Sequence, residues 1–266
     1  MSLKVCLAGA TGWAGAELAR GLADAGDLQL VAAVSRSHAG RNLAAVLDEP
    51  RLDAPVFATA AEALSQPCDV FVEYTHPDTA KANVLAALAH GAHVVVGTSG
   101  LTDADYAQLD AAARDRGRGV LACGNFALTA VLLQKFAVMA ARYIPHWEII
   151  DYAYEGKPDA PSGTARELAA RMAQVRQPHL GVPLDQVRGT RETRGGTIAG
   201  CQVHAVRLPG FVLGVETIFG MPEQTLSIRH NAGDGARPYV DGALLAIRKV
   251  PGLLGLHRGL DAVLEL

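Results

Sequence analysis

The chain has 266 residues, half of them hydrophobic and 19% charged, so it can bury a sizeable core in one large domain or two smaller ones and is too apolar to be disordered. A net charge of −3 gives no electrostatic reason to expect nucleic acid or an anionic membrane as partner, and no apolar run approaches the ~20 residues of a membrane span. No charged region precedes an apolar one at the N-terminus, and Cys6, Cys68, Cys123 and Cys201 never fall at CxxC spacing; no signal peptide, metal site or disulfide framework is expected, and a reducing, cytoplasmic setting is.

Residues 3–8 form a short apolar run, followed by Gly9-Ala10-Thr11-Gly12-Trp13-Ala14-Gly15 and a helical pattern, AELARGLADA. Strand, glycine-rich turn and helix make the dinucleotide-binding arrangement, here with GxxGxxG spacing, in which glycines let the backbone approach a pyrophosphate. Residues 28–34 read as a buried second strand ending in Ser35-Arg36-Ser37. An acid at that strand end would meet the adenosine ribose of NAD; two hydroxyls and a guanidinium instead suit a 2′-phosphate, so NADPH is the expected coenzyme and NADH the alternative.

Strand–helix alternation continues. Residues 56–59 and 69–74 read as strands, and Thr75-His76-Pro77 leads into a helix. Residues 92–96 are a strand closed by Gly97-Thr98-Ser99-Gly100, 103–116 a helix, and 120–123 a strand leading into Gly124-Asn125-Phe126. This is the pattern of a doubly wound parallel sheet, whose ligands lie beyond the carboxyl ends of the strands. The turns at Thr75, Gly97 and Cys123 are therefore expected to line the nicotinamide, with His76 a wall or surface residue rather than a base. An apolar helix over 127–139 marks a change of architecture, to an open mixed or antiparallel sheet of strands at 147–152, 197–208, 211–219 and 225–231. Residues 177–194, rich in Pro, Gly and Arg, read as a mobile loop, and 240–250 as a closing helix. The expected plan is α/β: a Rossmann-type domain over 1–125, an α+β substrate domain over 126–235, and a return to the first domain over 236–266.

Chemistry is expected in DYAYEGKPDAPSGTAR, residues 151–166. Lys157 lies in an extended segment, because the following Pro158 disfavours the helical region. Ser162, Gly163 and Thr164 open a helical pattern, and free N–H groups at a helix start favour an anion such as a carboxylate. A cation beside an anion-holding turn suggests a small acidic substrate.

GATGWAG, VGTSG at 96–100, GNF at 124–126, KPDAPSGTA at 157–165, HAVRLPG at 204–210 and the later IFG and LSIRH together resemble the dihydrodipicolinate reductases along essentially the whole chain. The resemblance implies a homotetramer, assembled through the second domain, that uses NADH or NADPH to reduce a cyclic imine dicarboxylate in lysine synthesis. It implies coenzyme contacts at Gly9, Ala10, Thr11, Gly12, Trp13, Ala14, Ser35, Arg36, Gly97, Thr98, Ser99, Cys123, Gly124, Asn125 and Phe126. Lys157 would be the proton donor, and Gly163 and Thr164 substrate-carboxylate contacts.

The departures are specific. Ala153 and Tyr154 stand where the resemblance places an acid/base histidine and a substrate-binding histidine, and Gly156 where a further histidine is common. Trp13 replaces a usual Arg or Lys, and Glu155 adds negative charge where a dianion should bind. The reading preferred from these residues is a family reductase with a changed imine-type carboxylate substrate, using Lys157 and Tyr154 as candidate acids. The alternative is a genuine 4-hydroxy-tetrahydrodipicolinate reductase, and a third reading is a catalytically silent coenzyme-binding protein.

Overall fold

The computed structural model describes residues 2–265, which fall into two compact units, one running to Leu128 and resuming at Ala236, the other Thr129–Gly235. In the first unit, β1 (Leu3–Ala8), α1 (Trp13–Asp24), β2 (Leu28–Val34), α2 (Leu43–Leu47), β3 (Val56–Phe57), α3 (Ala60–Ala63), β4 (Val70–Glu73), α4 (Pro77–Ala89), β5 (His93–Val96), α5 (Asp103–Asp115) and β6 (Gly119–Ala122) follow in order. The strands form one parallel sheet in the order β3-β2-β1-β4-β5-β6, extended beyond β6 by a strand from the end of the chain. The strands are mainly apolar, as a sheet covered by helices requires, and Phe71, Val94, Val120 and Leu109 meet in one core cluster. The chain leaves β1 toward β2 on one side and β4 on the other, so the turn after β1 sits where strand order reverses.

The second unit opens with α6 (Leu128–Ala141) and continues with β7 (His146–Ala153), α7 (Gly163–Val175), β8 (Gly196–Ile198), β9 (Cys201–Arg207), β10 (Leu213–Met221) and β11 (Gln224–Ala232). Its five-stranded sheet, β11-β10-β7-β9-β8, is mixed, since β7 and β9 run parallel and the other pairs antiparallel. Leu133 and Ala137 of α6, with Leu168 and Met172 of α7, pack on the face carrying Trp147, Ile149, Val203, Val215 and Phe219. The single strand expected over 197–208 is a hairpin instead: Ala199 and Gly200 both take positive φ, and reverse the chain between β8 and β9. The stretch after α7 carries only short 3-10 turns at Leu184–Gln186 and Arg191–Arg194.

After Gly235 the chain rejoins the first unit through α8 (Val240–Lys249) and β12 (Gly255–Arg258), which adds in parallel beside β6. α8 packs on α1, where Val240 and Leu244 approach Gly21 so closely that a Cβ there would lie 2.3 Å from Val240 Cγ1.

Candidate active site

The coenzyme-type turn is built by close approach. Gly9 has φ +82°, and a Cβ on it would lie 2.1 Å from the carbonyl oxygen of Tyr74; a Cβ on Gly15 would lie 2.0 Å from the carbonyl oxygen of Gly9. The first and third glycines therefore hold strand, turn and helix at a separation no other residue allows. α1 starts at Gly12 with no side-chain cap and no acid in its first turn. The N–H groups of Trp13, Ala14 and Gly15 make no hydrogen bond among the described residues. That end of the helix can take a pyrophosphate. Trp13 is 62% exposed, with its ring edge-on to Tyr239 at 5.8 Å, so it supplies no cation here.

At the end of β2, Ser35 is buried, and its hydroxyl lies 2.7 Å from that of Thr11, tying the glycine turn to the second strand. Ser37 and His38 extend the chain of hydrogen bonds. Arg36 is exposed and makes no ion pair among the described residues, leaving its guanidinium available to an anion. Gly9, Ser35, Arg36, Ser37, Thr59 and Thr75 line a cleft of about 520 Å³.

Three more turns leave the same sheet edge. Gly97 passes under the Tyr74 ring, where a Cβ would lie 2.2 Å from Cε1, and its N–H donates to the Glu73 carbonyl at 3.0 Å. Thr98 is buried and donates to Glu73, whereas Ser99 is exposed. Cys123 is buried, and burial pushes its thiol up to about 12, which removes it as a nucleophile at neutral pH. Gly124 is exposed, Asn125 accepts from the Ala127 N–H, and Phe126 packs on Tyr74 at 5.6 Å. Ala10 is wholly buried beneath the turn. His76 is the N-cap of α4, accepting from the Asp78 N–H at 3.4 Å; it has a structural task and an exposed side chain.

In the second unit, β7 alternates with Trp147, Ile149, Asp151 and Ala153 on its buried face. Asp151 is an acid in an apolar row, and its side chain finds its partners in Ser162 and Arg207. It accepts the Ser162 N–H at 2.8 Å and the Ser162 hydroxyl at 2.6 Å, and pairs with Arg207 at 2.7 Å. Arg207 donates also to the carbonyls of Asp151 and Asp159, tying the Lys157–Ser162 loop to β7. Ser162 in turn caps α7 through the Ala165 N–H. With Ser162 committed to these bonds, the N–H groups of Gly163 and Thr164 make no hydrogen bond among the described residues and are left free to take an acceptor. Lys157 is paired with Asp159 at 2.6 Å, and this cation holds the Asp159 carboxyl below its ordinary range. Arg166 donates to the Pro161 carbonyl and adds a second cation beside the turn. Tyr154 is 47% exposed and Glu155 is exposed, while Ala153 has no exposed surface. A methyl group fully inside the core cannot exchange a proton with anything.

A model for the N-terminal part of dihydrodipicolinate reductase matches residues 3–126, and one for its C-terminal part matches residues 129–260. The chain belongs to the dihydrodipicolinate reductase family. It is 38% identical to the 4-hydroxy-tetrahydrodipicolinate reductase of Halalkalibacterium halodurans over 99% of this chain and 100% of that one. It is 36% identical to the enzyme of that name from Bacillus pumilus over 99% and 98% of the two chains. A dipicolinate-bound dihydrodipicolinate reductase from Paenisporosarcina sp. TG-14 has the same fold, with a TM-score of 0.88 at 29% identity over 99% of this chain and 100% of that one. The family makes this chain a pyridine-nucleotide-dependent oxidoreductase, and its relatives speak for the genuine reductase over the changed-substrate reading preferred from the residues alone.

Sequence reasoning missed Arg207 and the part played by Asp151. The period-2 pattern of HWEIIDYA puts Asp151 on the apolar face, and a buried acid calls for a partner, so half of the pair was detectable. Arg207 lies 56 residues away, and only the parallel pairing of β7 with β9 brings it there. Among the described residues, no group of three or more His, Cys, Asp or Glu is placed to hold a metal, and no helix is long and apolar enough to cross a membrane.

Proposed function

We propose that the protein is a 4-hydroxy-tetrahydrodipicolinate reductase of lysine synthesis, with NADPH as preferred reductant. The observation that carries this reading is the Asp151–Ser162–Arg207 frame, which presents two free N–H groups beside Lys157. A carboxylate of a cyclic dicarboxylate accepts from Gly163 and Thr164, and the charges of Lys157 and Arg166 offset it. A dianionic ligand competes with the Asp159 carboxylate for Lys157, and the ammonium then stands as the proton donor nearest the substrate. A coenzyme whose pyrophosphate is held by the glycine turn would supply the hydride from its reduced nicotinamide. The preference for NADPH is supported by the unpaired Arg36 guanidinium and the absence of an acid at the end of β2.

The protein's contribution is positioning and charge. With a buried methyl at 153, general acid catalysis falls to Lys157, with the exposed Tyr154 phenol as the second candidate. Those same two residues, Ala153 and Tyr154, are the observation that favours the second reading, a changed imine-type substrate on an otherwise unaltered machinery.

Assembly as a homotetramer belongs to this proposal. Both helices of the second unit pack on one face of its sheet, and the opposite face carries Ile150 and Ile218 with the Tyr152–Glu216–Arg229 cluster. The four free thiols suit a reducing, cytoplasmic setting.

The test is NADPH oxidation with substrate generated in situ from pyruvate and aspartate semialdehyde, for the wild type and Lys157→Ala. Wild-type turnover with at least about a tenfold loss in the variant and nearly unchanged coenzyme affinity is expected, a positioned acid being worth ~10²–10⁴-fold. Full turnover by the variant removes Lys157 from the mechanism; turnover only with other imines selects the second reading.

A further inference from the structure

Glu73 ends β4, a strand whose four residues are all buried, and it has no exposed surface. A fourth apolar residue would satisfy the strand, and burying a carboxylate is costly unless donors surround it. Donors do surround it, and they come from the turns that flank the strand's end. One oxygen accepts the Thr75 N–H at 2.8 Å, the Thr75 hydroxyl, and the Thr98 hydroxyl at 3.3 Å; the other accepts from Asn83 of α4 at 2.9 Å. The backbone of the same residue holds the neighbouring turn, because its carbonyl accepts from the Gly97 N–H and the Thr98 hydroxyl. Four donors converging on one carboxylate match its acceptor-only capacity, which an amide or an apolar side chain cannot reproduce.

We propose that Glu73 is a positioning residue for the nicotinamide half of the coenzyme, fixing the Thr75–Pro77 and Gly97–Ser99 turns relative to each other while itself touching no ligand. The inference rests on the coenzyme reading of this sheet edge. It separates two tasks within one site. The adenosine end is organised by Thr11, Ser35 and Arg36, none of which hydrogen-bonds Glu73. The nicotinamide end depends on a buried acid in the next strand. Thr75 and Asn83 also line the cleft shared with Ser35 and Arg36, so loss of that acid touches both halves of the coenzyme but falls harder on the nicotinamide half, which the coenzyme reading sets against both turns.

The experiment compares binding of NADPH and of 2′-phospho-ADP-ribose, which lacks the nicotinamide, to the full-length wild type and to Glu73→Gln. The variant keeps the size of the side chain but turns one acceptor into a donor facing donors. It is expected to weaken NADPH at least about tenfold, the worth of one charge-assisted hydrogen bond, and the fragment by no more than about threefold. In steady state the coenzyme KM rises more than kcat falls. A variant that binds NADPH like wild type, or that loses NADPH and fragment equally, overturns the proposal, since a merely structural role weakens both alike. If Glu73→Gln does not fold, Glu73→Asp decides: it keeps the charge but shortens its reach to the donors of the two turns, and the same selective loss is required of it. Wild-type protein that binds the fragment but gains nothing from the nicotinamide overturns the proposal, and wild-type protein that binds neither removes the coenzyme reading and the proposal with it.

Discussion

Replacing Asp151 by Asn tests the frame of the substrate turn with a change of one atom. The Asp151 side chain is 2% exposed and that of Arg207 15%, so the pair is buried, and Asp151 also accepts twice from Ser162. Removing one partner of a buried ion pair costs about 3–5 kcal/mol. Arg207 keeps the carbonyls of Asp151, Val206 and Asp159, which places the loss at the lower end, about 3 kcal/mol. For a chain of this size that corresponds to a fall in Tm of roughly 10 °C. The new amide must also point its NH₂ at Arg207 or at one of the two Ser162 donors. The cap of α7 loosens in either case, and the substrate KM rises about tenfold, the equivalent of one charge-assisted hydrogen bond. Thermal unfolding and steady-state kinetics on the same preparation give both numbers. Pairing Asp151→Asn with Arg207→Met should cost less than the sum of the single changes, because the second removes the charge that the first strands. An Asp151→Asn variant that melts within about 2 °C of wild type with an unchanged KM would refute the reasoning.

Ser35→Asp puts a carboxylate beside Arg36 at the end of β2, and is expected to weaken NADPH at least about tenfold more than NADH, by repulsion of a 2′-phosphate; equal effects on the two coenzymes count against the assignment. Two histidines should titrate below their ordinary value. Burial lowers the pKa of His230, whose ring meets the Thr129 hydroxyl at 2.9 Å, and of His93, whose Nδ1 accepts the Gly119 N–H at 3.0 Å. Since the folded pKa lies below the unfolded one, these rings favour folding above about pH 6.5, and stability is lost as pH falls through that value toward the folded pKa. Ring-proton NMR titration checks the direction: a midpoint at or above about 6.5 for either histidine contradicts it.

How far the sequence leads depends on whether a feature is local. The strand–turn–helix at Gly9–Gly15 is local, and so are the alternation of apolar strands with helices and the Ser162 cap, and all were legible from spacing. The cap of α3 was missed: Thr59, read as the end of a strand over 56–59, stands at capping-box spacing from Glu62, but four helical residues are too short for periodicity to reveal. β12 was missed for a related reason: Gly255-Leu-His-Arg has no pattern of its own, and becomes a strand because β6 offers an open edge. The hairpin at Ala199–Gly200 hid inside a continuous β-rich run, where alanine gives no warning of a positive φ. In the site, Lys157, Gly163 and Thr164 announce themselves by neighbouring residues. The partnership of Asp151 with Arg207, and that of Thr98 with Glu73, are contacts across strands and cannot be read along the chain.

The proposal stands or falls on whether a chain with Ala153 and Tyr154, where the resemblance places two histidines, still reduces the substrate named for its relatives. The most direct measurement is kcat with in-situ-generated substrate and NADPH, side by side with a family member that carries both histidines. The account expects Lys157-dependent turnover no lower than about a hundredth of that relative's, since one lost acid is worth ~10²–10⁴-fold and a second donor is at hand. Tight NADPH binding with no turnover above background would contradict it.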